Sequence, residues 1–271
     1  MLDKGRSYLP AFVSLLLIMA SASAQTSRAA ESYYDRGARH LAKGDLDGAI
    51  ADFGAAIAFD PRFCEAYNNR GIARYMKGEL EAAIIDFDVA LEIRPDFAEA
   101  YANRGVAYAA KGELDRAVSD YDRALELNPR SAHLYYNRAN ARLDRGELDR
   151  SLIDYDRAIE LDPRNAAYYY NRGLAHQRNR EMDKAISDYD RAISLNPSFA
   201  LAYNNRGNVW LIKKELARAI TDYTRAIELD PTLDCAYANR ILALMSLASL
   251  AGRESGESLS RQTSHKPDVA K

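Results

Sequence analysis

Several residue types and patterns are scarce in this chain of 271 residues. It has two cysteines, Cys64 and Cys235, and no Cys-x-x-Cys pair, which excludes a disulfide framework and a zinc-type spacing. The formal net charge is −2, and Lys and Arg are matched by Asp and Glu throughout the chain, so no basic face for nucleic acid is expected. A Gly-rich phosphate loop is missing, and the histidines stand at no metal spacing and beside no nucleophile. We therefore expect no enzyme, no cofactor, no metal and no nucleic-acid partner.

The N-terminus has the pattern of a secretory signal. Lys4 and Arg6 precede an apolar run over residues 11–20, and small residues suited to cleavage follow at 22–24. This run is shorter than the roughly 20 residues of a membrane-spanning helix, so no stable membrane anchor is expected. The pattern predicts a cleaved signal peptide over 1–24, a short leader over 25–29, and an exported protein that is periplasmic if bacterial and otherwise secreted. The alternative is an uncleaved or disordered leader in the cytoplasm.

A period of 34 residues dominates the remainder of the chain. Three residue types recur at this interval, namely Pro61, Pro95, Pro129, Pro163, Pro197 and Pro231, then Tyr33, Tyr67, Tyr101, Tyr135, Tyr169, Tyr203 and Tyr237, then Ala56, Ala90, Ala124, Ala158, Ala192 and Ala226. Such a fixed interval indicates a repeat architecture, in which each unit buries its apolar face against its neighbours.

Each unit carries two stripes at helical spacing. In one unit Tyr101, Gly105 and Tyr108 form the first stripe, and residues 117, 121 and 124 form the second. Gly112 lies between the stripes, where a left-handed residue ends a helix, and Pro129 follows the second stripe, where a helix must stop. Each unit is therefore predicted to be an antiparallel pair of helices.

The pattern resembles the tetratricopeptide repeat family, whose 34-residue unit has aromatic residues, a glycine, alanines and a final proline at corresponding positions. The resemblance implies an all-α fold, a right-handed superhelical solenoid of stacked antiparallel helix pairs. The predicted repeat domain over 30–251 comprises six repeats and a capping helix, at 30–63, 64–97, 98–131, 132–165, 166–199, 200–233 and 234–251. The chain departs from the family pattern with Tyr for Trp at position 4, Arg for Leu at position 7, and Arg180 and Lys214 for the turn glycine. The Ser-, Gly- and charge-rich segment 252–271 is predicted to be a disordered tail.

Positions are counted from the first residue of each repeat. Positions 2, 5, 6 and 9 of each first helix lie opposite the stripe that faces the second helix, so they are expected to line a concave surface. Position 6 is asparagine in every first helix except the first, which has Asp35; this amide ladder comprises Asn69, Asn103, Asn137, Asn171, Asn205 and Asn239. Glu31, Glu65 and Glu99 at position 2 make the N-terminal half of this surface acidic.

The ladder is the candidate binding site. An asparagine amide both donates and accepts hydrogen bonds, so a row of amides can bind the backbone of an extended polypeptide. Tyr136 and Tyr170 at position 5 lie beside the ladder and are assigned to the same site. The alternative is that these amides bond neighbouring helix ends or water.

Two charged positions also recur in every full repeat. Position 7 is arginine and position 23 is aspartate, and both lie beside apolar stripes where a lone charge would be costly. They are Arg36, Arg70, Arg104, Arg138, Arg172 and Arg206, with Asp52, Asp86, Asp120, Asp154, Asp188 and Asp222. We predict that they pair, within or between repeats, and that they serve the structure.

The C-terminal helix offers a second candidate interface. It carries Tyr237, Ile241 and Leu244 where a second helix would normally cover them. This stripe predicts a partner contact or a homodimer, unless the tail folds back over it. The favoured function is thus a non-enzymatic scaffold or adaptor that binds an extended polypeptide in the concave groove, and the alternative is a structural assembly component that associates through its C-terminal helix.

Overall fold

The computed structural model describes the backbone of residues 9–263 and the side chains of residues 25–250. Residues 1–8 of the predicted signal peptide and residues 264–271 of the predicted tail lie outside this range, as do the side chains of the predicted cleavage site. Among the described residues no helix is both long and apolar enough to cross a membrane.

The described backbone forms thirteen helices and no strand. The helices are α1 Leu9–Ala42, α2 Leu46–Phe59, α3 Cys64–Met76, α4 Leu80–Ile93, α5 Ala98–Ala110, α6 Leu114–Leu127, α7 Ala132–Asp144, α8 Leu148–Leu161, α9 Ala166–Arg178, α10 Met182–Leu195, α11 Ala200–Ile212, α12 Leu216–Leu229 and α13 Asp234–Thr263. Between α1 and α13, first helices of 13 residues alternate with second helices of 14 residues, as the 34-residue period predicts.

The helices belong to two compact units, Met1–Ala141 and Arg142–Lys271. Within the first unit α1 packs on α2, α3 on α4 and α5 on α6, and each pair also packs on the next. Within the second unit α9 packs on α10 and α11 on α12, while α13 covers α12. Both units are therefore stacks of consecutive helix pairs, which confirms the predicted solenoid class of fold.

The turn inside each pair depends on a left-handed residue. Gly44, Gly78, Gly112 and Gly146 have φ between 77° and 84°, a conformation that glycine adopts without steric cost. Repeats five and six keep the same turn with Arg180 and Lys214, both at φ 61°. The backbone geometry is thus preserved where the sequence departs from the repeat pattern.

Glycine at position 8 lets the two helices of a pair approach closely. A Cβ atom built on Gly105 would lie 2.8 Å from the Tyr121 ring, and one on Gly71 would lie 2.6 Å from the Phe87 ring. These rings at position 24 are almost completely buried, and fully buried alanines surround them. In these repeats the first stripe packs on the second through a glycine and a large ring, and a side chain at Gly71 or Gly105 would have to displace that ring. Repeat four differs, because Ala139 occupies position 8 there.

The recurring arginines and aspartates form ion pairs, as predicted. The guanidinium of Arg104 donates from Nε and Nη2 to the carboxylate of Asp120, at 2.8 and 2.7 Å. Its third nitrogen, Nη1, donates to Asp88 of the preceding repeat at 2.6 Å. Arg172 and Arg206 make the same pair of contacts in the second unit. One arginine thus joins the two helices of its own repeat and also joins that repeat to its neighbour.

The C-terminal helix is longer than the sequence predicts. The capping helix was expected over 234–251, with a disordered tail from 252, whereas α13 continues to Thr263. The segment beyond 251 contains Arg, Glu, Leu and Gln, which favour helix, so a started helix can extend through it despite its two glycines and its serines.

Candidate functional site

The first helices of consecutive repeats lie side by side within each unit. Contacts join α1 to α3 and α3 to α5 in the first unit, and α9 to α11 and α11 to α13 in the second. We call the surface formed by positions 2, 5, 6 and 9 of these helices the first-helix face. The five ladder asparagines on these helices and Asn137 on α7 are all half-buried, so each side chain is held by neighbours and still reaches solvent.

In the first unit the ladder is part of a hydrogen-bonded network across three helices. Asn103 Nδ2 on α5 donates to Asn68 Oδ1 on α3 at 3.0 Å. Asn68 Nδ2 donates to Asn69 Oδ1 at 3.1 Å, and Asn69 Nδ2 donates to the Tyr34 hydroxyl on α1 at 2.9 Å. Asn68 is only 5% exposed, so it forms the buried centre of the network. Its neighbours on either side remain accessible.

The second unit repeats this network with equivalent residues. Asn239 Nδ2 donates to Asn204 Oδ1 at 3.1 Å, Asn204 Nδ2 donates to Asn205 Oδ1 at 3.1 Å, and Asn205 Nδ2 donates to the Tyr170 hydroxyl at 2.8 Å. Asn208 extends this network, because its Oδ1 accepts from Asn239 at 3.0 Å. The same Tyr, Asn-Asn and Asn residues thus occur twice, four repeats apart.

The remaining members of the ladder have different surroundings. Asn171 Nδ2 donates to the backbone carbonyl of Ala167 on its own helix, at 3.0 Å. Asn137 and Tyr136 are half-buried on α7, and the Tyr136 ring lies 6.3 Å from the ring of His133. The ladder is therefore one row in sequence, but its amides bond in two kinds of environment.

The buried asparagines Asn68 and Asn204 were not among the predicted site residues. Both occupy position 5, where other repeats have tyrosine or alanine. Their signal in the sequence was the Asn-Asn pair, at 68–69 and at 204–205, which occurs in two repeats only. An adjacent pair of amides on one helix face is well suited to connect the helices on its two sides.

A pocket opens on the first-helix face of the first unit. It has a volume of about 320 Å³, and α3, α5 and the start of α7 surround it. Ile72, Ala98, Ala102 and Leu134 give it apolar walls, while its polar lining comprises Asn68, Glu99, Asn103, Asn128, Ser131 and His133. The pocket thus lies directly beside the hydrogen-bonded network.

The first-helix face of the first unit is negatively charged. Burial raises the pKa of the Tyr34 hydroxyl, and the charges of Glu65 and Asp35 raise it further against the effect of the Asn69 hydrogen bond. Burial also raises the pKa of Glu65, but its backbone and Cys64 hydrogen bonds and the charge of Arg94 outweigh that effect and lower it. Arg94 Nη1 lies 2.7 Å from Glu65 Oε1. Of the position 2 glutamates, Glu65 is thus neutralised by a cation.

The stripe predicted on the C-terminal helix is exposed. Tyr237, Ile241 and Leu244 are 37%, 57% and 46% exposed, and four further apolar side chains of α13 are also exposed. Arg240, the position 7 arginine of this helix, lies over the Tyr237 ring at 5.8 Å. Within the described side chains no carboxylate pairs with it, whereas in the full repeats the position 23 aspartate of the second helix is the partner of this arginine. A hollow of about 460 Å³ lies further along α13, where Met245 and Leu250 face Leu211 and Leu216, and Lys214, Ser246 and Ser249 complete its lining.

Stacked helix pairs with a recurring polar face define a helical-repeat protein. The match to known families is specific. One family model described as tetratricopeptide repeat matches residues 98–131, 166–199 and 200–233. A second model with the same description matches residues 120–152. A model described as TPR repeat matches residues 37–78, 73–112 and 139–179. Together these matches run without a gap over 37–233. The chain belongs to the tetratricopeptide repeat family, whose members generally mediate protein–protein interactions.

Solved structures show the same fold. A tetratricopeptide repeat protein of Parabacteroides merdae is 20% identical, with a TM-score of 0.69 over 89% of this chain and 95% of that chain. PilF of Pseudomonas aeruginosa is 15% identical, with a TM-score of 0.69 over 79% and 97% of the two chains. YrrB, described as a TPR protein with an unusual peptide-binding site, is 24% identical, with a TM-score of 0.57 over 69% and 96%. No curated protein matches the sequence.

Proposed function

We propose that this protein is a non-enzymatic scaffold that binds an extended polypeptide along its first-helix face. The observation that carries the proposal is the network of half-buried asparagines, which is built twice from equivalent residues. An amide has two donors and one acceptor oxygen with two lone pairs. Asn103 uses one donor to reach Asn68, so its other donor and its oxygen are left for a ligand. YrrB, a protein of the same fold, is described as having a peptide-binding site.

The network also explains why such binding would be efficient. A free asparagine side chain loses rotamer freedom when it binds a ligand, and this loss weakens affinity. Asn69, Asn103, Asn205 and Asn239 are already oriented by bonds of 2.8 to 3.1 Å to neighbouring helices. Because backbone amides are common to all sequences, contacts of this kind bind a chain without reading its side chains. Side-chain selectivity then has to come from the pockets beside the network.

The test is a triple substitution, Asn103→Ala with Asn137→Ala and Asn171→Ala. Peptides that bind the wild-type protein are first selected from a displayed library of random dodecamers, and their Kd values are measured by fluorescence anisotropy. Each lost hydrogen bond is worth a net 0.5 to 1.5 kcal/mol, so the triple variant should bind at least about tenfold more weakly.

The control for this test replaces three exposed cations on second helices, Arg116→Gln, Arg150→Gln and Lys184→Gln. This variant should bind like the wild type. Circular dichroism and a thermal melt must show that the asparagine variant keeps its helices, since Asn103 also supports the network. A folded triple variant with wild-type affinity would exclude the ladder as the binding site.

Export with a cleaved signal peptide is the proposed route to the partner. It is supported by the basic, apolar and small-residue segments of the first 24 residues. Cleavage should leave a mature chain that begins near Gln25. Intact mass spectrometry of protein recovered from the exporting host tests this directly, and a mass that retains Met1 to Ala24 would contradict both cleavage and export.

A second candidate is self-association through α13. The observation that favours it is the exposed apolar stripe of Tyr237, Ile241 and Leu244. Exposed apolar surface of this kind is typical of interfaces. Two copies of one stripe can cover each other in a twofold dimer, because the same patch contacts itself. In this role the protein would be an assembly component, and the first-helix face would stay free.

A further inference from the structure

The pocket beside the network in the first unit offers a specific chemistry. Its walls combine apolar carbons of Ile72, Ala102 and Leu134 with the Glu99 carboxylate. Its volume of about 320 Å³ is near the lower end of the range of roughly 300 to 1,000 Å³ for ligand pockets. A single long side chain is therefore a better occupant than a larger molecule.

Among the described side chains, no cation compensates the charge of Glu99. Glu99 is exposed, and no cationic side chain of the described residues lies within ion-pair distance of it. Glu65, at the same position one repeat earlier, is paired with Arg94. In the second unit the corresponding position 2 residues are Ala167, Leu201 and Cys235, so this unit has no carboxylate at position 2. The free carboxylate at this pocket thus distinguishes the first unit from the second.

We infer that this pocket takes an arginine side chain of the bound polypeptide. The inference rests on the proposed function and names the residue that the polypeptide must carry. An arginine has an aliphatic stem that packs on apolar walls while its charged end stays near water. Its planar guanidinium matches a carboxylate with two parallel hydrogen bonds, which the compact ammonium of lysine does not do. The side-chain oxygen of Asn103 is a further acceptor at the same pocket.

The charge of the surrounding surface favours the same ligand. Glu31, Asp35 and Glu99 lie on the first-helix face of this unit, and the described positions 2, 5, 6 and 9 of its helices carry no Lys or Arg. A cationic polypeptide would be attracted to this face, whereas an acidic one would be repelled. The unit therefore supplies both a general attraction for cations and one pocket that fits an arginine.

The experiment uses the peptides selected by the mature wild-type protein. We expect an arginine to recur at one position of the selected dodecamers. A selected peptide is then compared with its citrulline analogue, which keeps the shape of arginine and removes its charge. The citrulline peptide should bind the wild type about tenfold more weakly, which corresponds to one charge-assisted contact.

Two protein variants test whether the preference for arginine comes from Glu99 at the pocket. Glu99→Gln should weaken the arginine peptide about tenfold and should bind the arginine and citrulline peptides equally. Glu31→Gln removes an equal charge from the same position of another repeat, outside the pocket, and should change Kd less than about twofold at 0.15 M salt, because distant exposed charges are screened.

The outcomes separate this inference from the proposed function. Selected peptides that bind without any preference for arginine, or that prefer acidic residues, would overturn the inference and leave polypeptide binding intact. An equal loss with Glu31→Gln and Glu99→Gln would overturn the pocket in favour of general attraction. If the library yields no binding peptide, the proposed function fails, and the inference fails with it.

Discussion

At the scale of single residues, Arg104 is a largely buried cation that connects two consecutive repeats. Its side chain is 19% exposed and Asp120 is 7% exposed, so both are largely removed from water. Burial lowers the pKa of the Arg104 guanidinium, but the hydrogen bonds to Asp120 and Asp88 outweigh this effect and raise it. The guanidinium stays charged, and its two carboxylates belong to different repeats. This geometry supports the structural role predicted for the recurring pair.

The two partners of Arg104 should differ in their contribution to stability. Asp120→Ala should lower the free energy of unfolding by about 3 kcal/mol, because it leaves a buried guanidinium without its two-bond partner. Asp88 is 43% exposed, so Asp88→Ala should cost less than about 1 kcal/mol. Urea unfolding followed by circular dichroism measures both values. Equal losses for the two variants would contradict the distinction between the buried and the exposed partner.

At the scale of helices, α13 is a first helix on whose outer side no second helix packs among the described residues. Its apolar side chains at positions 8 and 11 are Ile241 and Leu244, which remain exposed. In the fifth repeat, the residues at positions 8 and 11 are Gly173 and His176, and α10 covers both of them. The stripe on α13 is thus the part of the repeat pattern for which the chain provides no cover among its described residues.

Self-association through α13 is tested by charging this stripe. Ile241→Glu with Leu244→Lys should give a monomer at concentrations where the wild type is dimeric, because a charge buried in an interface is strongly unfavourable. Sedimentation velocity measures the change. Both side chains are exposed in the single chain, so the melting temperature of the monomer should remain nearly the same. A wild-type chain that is already monomeric would exclude this role.

The helices could be predicted from the sequence, because each 34-residue period corresponds to one pair of helices. Glycine at position 8 and a ring at position 24 mark the packed faces, and proline marks the end of each unit. The hydrogen-bond partners of the asparagines on the first-helix face could not be predicted in the same way. Asn68 and Asn204 occur in only two repeats, and whether an amide bonds a neighbouring helix or solvent depends on distances between helices that a sequence does not give.

At the scale of the whole molecule, the buried tyrosines make stability sensitive to high pH. Burial raises the pKa of Tyr223 to about 12 and also raises the pKa values of Tyr121 and Tyr189, with a further contribution from the aspartate beside each ring. These rings are at position 24 in both units, where they fill the space above the glycine at position 8. Each ring must therefore leave its core before it can ionise freely.

The sign of the pH effect follows from these pKa values. Below about pH 10, the ordinary pKa of tyrosine, the hydroxyls are protonated in the folded and the unfolded chain, so their contribution is fully present. As the pH rises from about 10 towards 12, unfolded tyrosines ionise first while the buried ones stay mostly neutral, with Tyr223 beginning to ionise near pH 12, and the unfolded state is favoured. The melting temperature should fall by about 10 °C over this range.

Replacing the three rings with phenylalanine tests this explanation, because Phe53 and Phe87 already occupy the same position in the first two repeats. Tyr189 and Tyr223 donate to Gln177 and Asn208, so the triple variant should lose about 1 kcal/mol per bond at pH 7. Its melting temperature should then fall less steeply above pH 10 than that of the wild type. In the wild type, tyrosinate absorbance from these rings should appear together with the loss of helicity. Ionisation of all tyrosines at pH 10 with the helices intact would show that the rings are open to solvent, and would contradict the packing that builds each repeat.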